Sequence, residues 1–463
     1  MSLVLIIAFL LTDVVIPVTL VIFCHPGRLR RSRQSIFEAG SASSCPRISA
    51  KERASFIASW KKRSLPSFLE GKITQKEYVK WQVNFLDHGY GRLLTPAIED
   101  TLFLIALLAL NERNGQTAVF SPFATAMSLA TLNMGAKEKT SDEITNEVFA
   151  EIPKEKVAEM FQRIVMKLWL SELDEKFSVA SAVYVEKSLK VEKKFRDCVD
   201  KFFLCSTKEA DFKNNPEAEC DALNYFVEEH TKGKIKDLFT NDLITTLTRL
   251  VSVTAVFLKI KFYDEFKKED TKMDDFHNED GSVKQVMTMH GEETFGKFYE
   301  TDDFVFGQKK CIPSEFSFFA LVPKNKTLAE LKKDFADSKY NFSTIYDRSE
   351  ASTTKIDFSL PRFDADGTFD VSRILKEVGI ERMFSEQEAN FEETAKDRLH
   401  ISVMRQKAIF ELCEEGVTAG AVGDVFGSRV TYATKKRAIV KADRPFLYGV
   451  TFQGTPLFVG HFY

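Results

Sequence analysis

From Pro96 onward, apolar and polar positions alternate between helical and strand spacing. Ile98–Leu110 is apolar at nearly every position and predicts a buried helix, closed by the polar run Asn111-Glu-Arg-Asn-Gly115. A short strand ends at Ser121, and Pro122 opens a second helix, since a proline in the first turn forfeits no backbone bond. Ser141-Asp-Glu-Ile predicts another helix with Ser141 as its capping residue, and Lys154–Leu170 a further one. On the latter, Lys154, Lys156, Arg163 and Lys167 interleave with Glu155 and Glu159, which reads as a solvated face. Val179–Val185 and Leu250–Lys259 read as strands, the second apolar enough to be buried, with helix over Ala218–Lys232 between them. Hairpin-like segments occupy 295–322, Phe316–Pro323 being the strongest strand, and the chain closes on strands Phe446–Phe452 and Pro456–Phe462. Helices dominate the first half and strands the second, so the class is α+β rather than doubly wound.

One stretch breaks these patterns. Residues 409–430 begin as an alternating strand, Ile409, Glu411 and Cys413 against Phe410, Leu412 and Glu414. Glu414, Glu415 and Gly416 end it. The small residues that follow contain no proline, asparagine or lysine, unlike an ordinary loop. At a period of two, Val417, Ala419, Ala421, Gly423, Val425 and Gly427 share one compact, uncharged face, while Thr418, Gly420, Val422, Asp424 and Phe426 share the other. The pattern is that of a strand without a sheet, or of a small-residue linker.

The N-terminal region differs in texture. Residues 3–11 have the length of a signal-peptide apolar core, and with the second apolar run 14–23 they are also long enough for a membrane anchor. Residues 24–95 form a basic extension: between 25 and 95 there are 14 Lys+Arg against 5 Asp+Glu. It includes an Arg28-Leu-Arg-Arg31 cluster of processing-site type, a Ser/Gly/Ala-rich linker at 32–44 and a short helical pattern over Thr74–Phe85. The remaining body, 96–463, is acidic at −11, which argues against nucleic acid as a partner. Membrane contact is expected only if 1–23 is retained. Asn325-Lys-Thr and Asn341-Phe-Ser are glycosylation sequons and, with 1–23, point to a secreted chain, membrane-anchored or intracellular placement being the alternatives.

The chemistry of catalysis is missing. There is no G-x-S-x-G elbow, H-E-x-x-H, Walker loop or dinucleotide glycine pattern. The seven histidines show no ligand spacing, and His290-Gly-Glu-Glu lacks a second histidine. The seven cysteines are scattered, with Cys198–Cys205 the one local pair that could bridge. No cofactor, no metal and no enzymatic activity are expected.

Taken in order, several segments resemble the serpins. They are Val119-Phe-Ser-Pro-Phe123 with Met134-Gly-Ala-Lys137, Phe257-Leu-Lys259 leading to Phe266, Val286-Met-Thr-Met289 and Leu360-Pro-Arg-Phe363. Then follow Lys407-Ala-Ile-Phe-Glu411, Glu414-Glu-Gly416 and Ala442-Asp-Arg-Pro-Phe-Leu447, with a closing Gly460. The resemblance spans about 98–463. It implies a domain of three β-sheets and about nine helices, a monomer, with an exposed reactive-centre loop as bait for a serine protease. The cleaved loop then inserts into the central sheet and traps the acyl-enzyme as a covalent complex. A non-inhibitory carrier, chaperone or protease substrate is the alternative within the family.

The resemblance also assigns residues. Glu414, Glu415, Gly416, Val417, Thr418, Ala419, Gly420, Ala421 and Val422 match the loop hinge. Counting seventeen positions from Glu414 places the cleaved bond between Val430 and Thr431, which suits an elastase-like enzyme. One residue earlier, Arg429 suits a trypsin-like one, and Lys435, Lys436 and Arg437 also lie within the loop. Ser121, Thr254 and Gln406 match the cluster beneath the opening of the sheet. Here the chain departs from the family: Thr254 replaces a usual Asn, Gln406 a usual His, and Ala124 a common Ser. Phe262 and Ile260 replace a common Trp and Gly.

Overall fold

The Thr95 hydroxyl accepts a bond from the Ile98 amide at 3.4 Å and starts helix α1, Pro96–Asn111, two residues before the Ile98 start read from the sequence, with Pro96 in its first turn. The structure is a computed structural model and describes residues 92–463 apart from 171–176, 204, 232, 259–260, 295, 352–354 and 417–436. Leu93 and Leu94 are already buried, and Arg92 bonds the Ser343 carbonyl at 2.8 Å and Asp347 at 2.7 Å. Arg92, Leu93 and Leu94 thus pack with the body that the change of texture at Pro96 opens.

Strand β1, Ala118–Phe120, leads into helix α2, Pro122–Asn133, capped by Ser121 Oγ on the Ala124 amide at 3.3 Å. Every residue of α2 is buried, so it is a core helix enclosed on all sides. Helix α3 spans Glu138–Phe149 and starts three residues before Ser141. Ser141 does not cap it: its hydroxyl donates instead to Asn133 Oδ1 at 2.7 Å, and its amide makes an ordinary helical bond to the Lys137 carbonyl. Helices α4, Lys154–Leu170, α5, Lys193–Phe203, and α6, Pro216–His230, follow. Later come α7, Leu328–Ala336, with a complete capping box between Thr327 and Glu330, then α8, Phe342–Arg348, and α9, Val371–Glu377.

Three sheets complete the described residues, so the expected architecture of three sheets and about nine helices is the observed one. A five-stranded sheet joins β2 (Phe177–Glu186), β3 (Ser206–Ala210), β4 (Leu250–Leu258), β13 (Phe363–Asp370) and β14 (Val403–Leu412) in the order β13-β14-β4-β2-β3. A four-stranded sheet runs β15 (Ala438–Lys441), β12 (Ile356–Pro361), β7 (Val283–Glu293) and β6 (Lys272–His277). The largest sheet is built around β9 (Phe304–Ile312), β10 (Phe316–Pro323), β16 (Phe446–Phe452) and β17 (Thr455–Phe462), with β1 at one edge, β8 (Lys297–Glu300) and β11 (Glu350–Ala351) at the other, and β5 (Lys261–Phe262) paired to β9. Phenylalanines fill the space between the layers; Phe103, for instance, stacks on Phe342 at 4.6 Å and meets Phe335 at 5.0 Å.

Alternation along the five-stranded sheet divides its contacts between two cores. Val251, Val253 and Val403 point toward Leu223 and Phe226 of α6. Met404, Ala408, Phe410 and Leu412 point into the main core.

Candidate functional site: the sheet seam and its hinge

In the middle of the five-stranded sheet, β4 and β14 lie side by side and parallel, from Val403 opposite Val251 to Ile409 opposite Phe257. Their other neighbours, β2 and β13, are antiparallel to them. A parallel pair needs a long crossover, and its slanted ladder is slightly weaker per residue than an antiparallel one. The centre of this sheet is thus its weaker seam.

Beneath the seam the apolar core turns polar. Gln406 and Thr254 are register partners on the core-facing side. Gln406 Oε1 accepts from the Ser121 amide at 2.8 Å, while its Nε2 donates to the Ser121 carbonyl at 2.8 Å and to Thr125 Oγ1 at 2.9 Å. Ser121 Oγ donates to the Leu457 carbonyl at 2.7 Å. Thr254 does not join this group directly; its hydroxyl pairs with that of Ser128, one turn along α2 from Thr125. Of the three residues assigned to the cluster, Ser121 and Gln406 touch and Thr254 stands apart. Thr125 and Ser128 complete the arrangement and were missed. Their signal in the sequence is a pair of hydroxyls four and seven residues after Ser121 on a mostly apolar helix, where Thr131 offers a third.

At the upper end of β14 the chain turns on itself. Cys413 and Gly416 exchange backbone bonds of 2.9 and 3.0 Å, and Gly416 takes a positive φ of 111°. Cys413 Sγ also donates to the Gly416 carbonyl at 3.1 Å. The carbonyls of Glu414 and Glu415 accept from the amides of Phe266 at 2.9 Å and Phe262 at 3.1 Å. Glu414 is buried; it receives a bond from Thr271 Oγ1 at 3.0 Å and lies 3.7 Å from Arg362. Glu415 meets Lys268 at 3.4 Å. These three residues form a hairpin turn pinned from both sides. The other hinge residues, Val417 to Val422, and the bond candidates Arg429, Val430 and Thr431, lie outside the described residues, as do Lys435 and Lys436. The chain is next described at Arg437, which contacts Glu292 and sits 2.8 Å from Asp357 before β15 pairs in parallel with β12.

The remaining candidates are easily placed. Asn325 and Asn341 are both exposed, Asn325 donating to the Asp302 carbonyl. Cys198 and Cys205 do not bridge; both are free, and burial pushes the Cys205 thiol up to about 12. Cys198 lies within α5 and Cys205 immediately before β3. Among the described residues, no group of three or more His, Cys, Asp or Glu could hold a metal, and no helix is long and apolar enough to cross a membrane. On α4, Lys154 reaches the Ala136 carbonyl at 2.8 Å and Glu393 at 3.3 Å, and Lys156 pairs with Glu159 at 3.2 Å.

Comparison with known proteins places this geometry. Residues 101–463 match the family model "Serpin (serine protease inhibitor)". The chain is 28% identical to Serpin B6 of Macaca fascicularis over 372 residues, 78% of this chain and 97% of that protein. It is 25% identical to the plasma serine protease inhibitor of Mus musculus over 382 residues, 81% and 91% of the two. The crystal structure of native protease nexin-1 with heparin superposes with a TM-score of 0.67 at 25% identity, covering 79% of this chain and 98% of that one. A seam with a pinned hairpin above it, on a fold shared almost end to end with these proteins, leaves one assignment: the chain belongs to the serpin family of serine protease inhibitors.

Proposed function

We propose that this chain is a suicide-substrate inhibitor of serine proteases. The protease serine attacks the carbonyl of Arg429, expelling the amine of Val430, and the acylated loop enters the seam between β4 and β14 before water completes hydrolysis. The enzyme is left covalently attached and the inhibitor is consumed.

The observation that carries this reading is the direction of the hairpin. A chain leaving β14 through the turn at 413–416 runs antiparallel to β14, and therefore also to β4. Continuing the Cys413–Gly416 register sets Val417 opposite Leu412, Ala419 opposite Phe410, Ala421 opposite Ala408 and Val425 opposite Met404. All four partners face the main core. The compact face of the loop would thus be the buried one. Gly423, without a side chain, falls opposite Gln406, the bulkiest polar group on that side. Asp424, the only charge in 417–428, falls opposite Arg405 on the other side. Insertion would replace one parallel ladder by two antiparallel ones.

On this reading the molecule acts as a monomer, residues 1–23 direct secretion, 24–95 form an extension, and Asn325 and Asn341 carry glycans. Arg429 favours a trypsin-like target; Val430–Thr431 would favour an elastase-like one. A non-inhibitory role is favoured by one observation, the three bonds of Gln406 that tie β14 to Ser121 and α2 beneath the seam. Incubation with trypsin-like and elastase-like proteases separates the readings. The inhibitor gives an SDS-resistant complex and gains thermal stability on loop cleavage; clean cleavage with neither result overturns it.

A further inference from the structure

Lys309 lies on β9 with a fully enclosed side chain, its Nζ 2.9 Å from the equally enclosed Glu293 Oε2. The rings of Phe266, Phe262 and Phe358 surround that nitrogen, with centroids at 4.6, 5.2 and 5.3 Å. These distances are within the range at which a ring face attracts a cation. The group joins the four-stranded sheet to the largest one. Glu293 and Phe358 belong to the four-stranded sheet, Lys309 to the largest, and Phe262 and Phe266 to the segment that follows β4.

Two of the rings carry the hinge: the Phe262 and Phe266 amides are the donors to Glu415 and Glu414. The third, Phe358, is the register partner of Val440 on β15, the strand that begins after Arg437. One cation therefore touches the side chains whose backbones hold both ends of 417–436. Stability alone does not account for it, since replacing a buried ion pair by apolar groups of similar volume is commonly neutral or stabilising.

We propose that Lys309 is a positioning residue for the reactive loop: paired with Glu293 and caged by the three rings, it fixes the hinge relative to the exit strand and sets the partition between insertion and hydrolysis. This rests on the inhibitor reading above. The test is the double variant Lys309→Met/Glu293→Leu, which keeps the volume and removes both charges. Two quantities are read. The first is the moles of inhibitor consumed per mole of trypsin-like protease, expected to rise about threefold or more. The second is the rate at which thermolysin cuts within 417–436, expected to change by about threefold. Thermolysin is a metalloprotease that forms no acyl-enzyme, so this arm does not depend on inhibition. If both quantities match wild type, Lys309 is merely structural and the proposal fails. If the wild-type chain forms no complex, the inhibitor reading fails and the thermolysin arm alone decides the role of Lys309. Should the double variant not fold, Phe358→Leu removes one ring, leaves the ion pair, and gives the same two readings.

Discussion

Gln406 and Ser121, 285 positions apart, are joined by a reciprocal pair of 2.8 Å hydrogen bonds between a side-chain amide and a backbone one. The pair closes the underside of the seam, and both residues are almost wholly shielded from water. Gln406→Leu leaves the Ser121 amide buried without a partner and its carbonyl with only the Thr125 amide, at 3.3 Å. It is expected to destabilise the native state by about 2–4 kcal/mol, read as a lower urea midpoint. Because the lost bonds cross from β14 to α2, the variant is also expected to convert more quickly to an inactive, loop-inserted form on mild heating. An unchanged midpoint would remove the pair from the seam's energetics.

On the inhibitor reading, continuing the Cys413–Gly416 register would set Val417 opposite Leu412, which faces the main core. Val417→Arg would bury an unpaired charge on insertion, which costs several kcal/mol. The complex yield with the target protease is expected to drop at least about tenfold, a change that needs only ~1.4 kcal/mol on the partition. Cleavage of the loop should proceed normally. Unchanged inhibition would mean that the compact face does not face the core.

Asp424 supplies a test of register. Set opposite Arg405, it would gain a partner only after insertion. Asp424→Arg is expected to lower the thermal stability of the cleaved form and leave that of the intact form unchanged. Arg405→Asp in the same chain should restore it. The exposed-pair range of about 0.2–1 kcal/mol bounds the effect.

The reactive bond can be read directly by mass spectrometry of the C-terminal fragment released from the denatured complex. A fragment beginning at Val430 identifies Arg429 as the specificity residue, and Arg429→Ala then abolishes inhibition of trypsin-like enzymes. A fragment beginning at Thr431 assigns the elastase-like alternative.

His461 on β17 is fully buried, and burial, with a lesser contribution from Lys332, lowers its pKa to about 3. Unfolded, the ring titrates near 6.5, so below that pH the unfolded chain binds a proton that the folded one refuses. The stabilisation is complete above about pH 6.5 and lost as pH falls toward 3, at ~1.4 kcal/mol per pH unit. His461→Leu is expected to flatten that slope in urea midpoints measured between pH 6 and pH 4. A slope identical to wild type would place the acid sensitivity elsewhere.

Much of the scaffold could be read from residue patterns, because β4, β14, β16 and β17 are alternating or continuously apolar and α1 and α2 open on cap-plus-proline pairs. The closed seam could not. Nothing local in Leu250–Leu258 or Val403–Leu412 says that they lie parallel and adjacent. The start of α3 was misread because Ser141 has the chemistry of a cap but spends its hydroxyl on Asn133. Lys309, in a Gln-Lys-Lys run, has the appearance of a surface residue. The carboxylate of Glu293, sixteen positions earlier, and the three rings around it make its burial tolerable. Thr125 and Ser128 became functional candidates once α2 was seen to lie beneath Gln406 and Thr254.

The seven residue pairs between β4 and β14 also bear on how such a protein would be supplied. A strand lying between them keeps that ladder from re-forming, so each molecule could act once and no dissociation constant would describe its capacity. On the inhibitor reading, the amount of protease trapped would then scale with the number of intact molecules made and be limited by synthesis rather than by affinity.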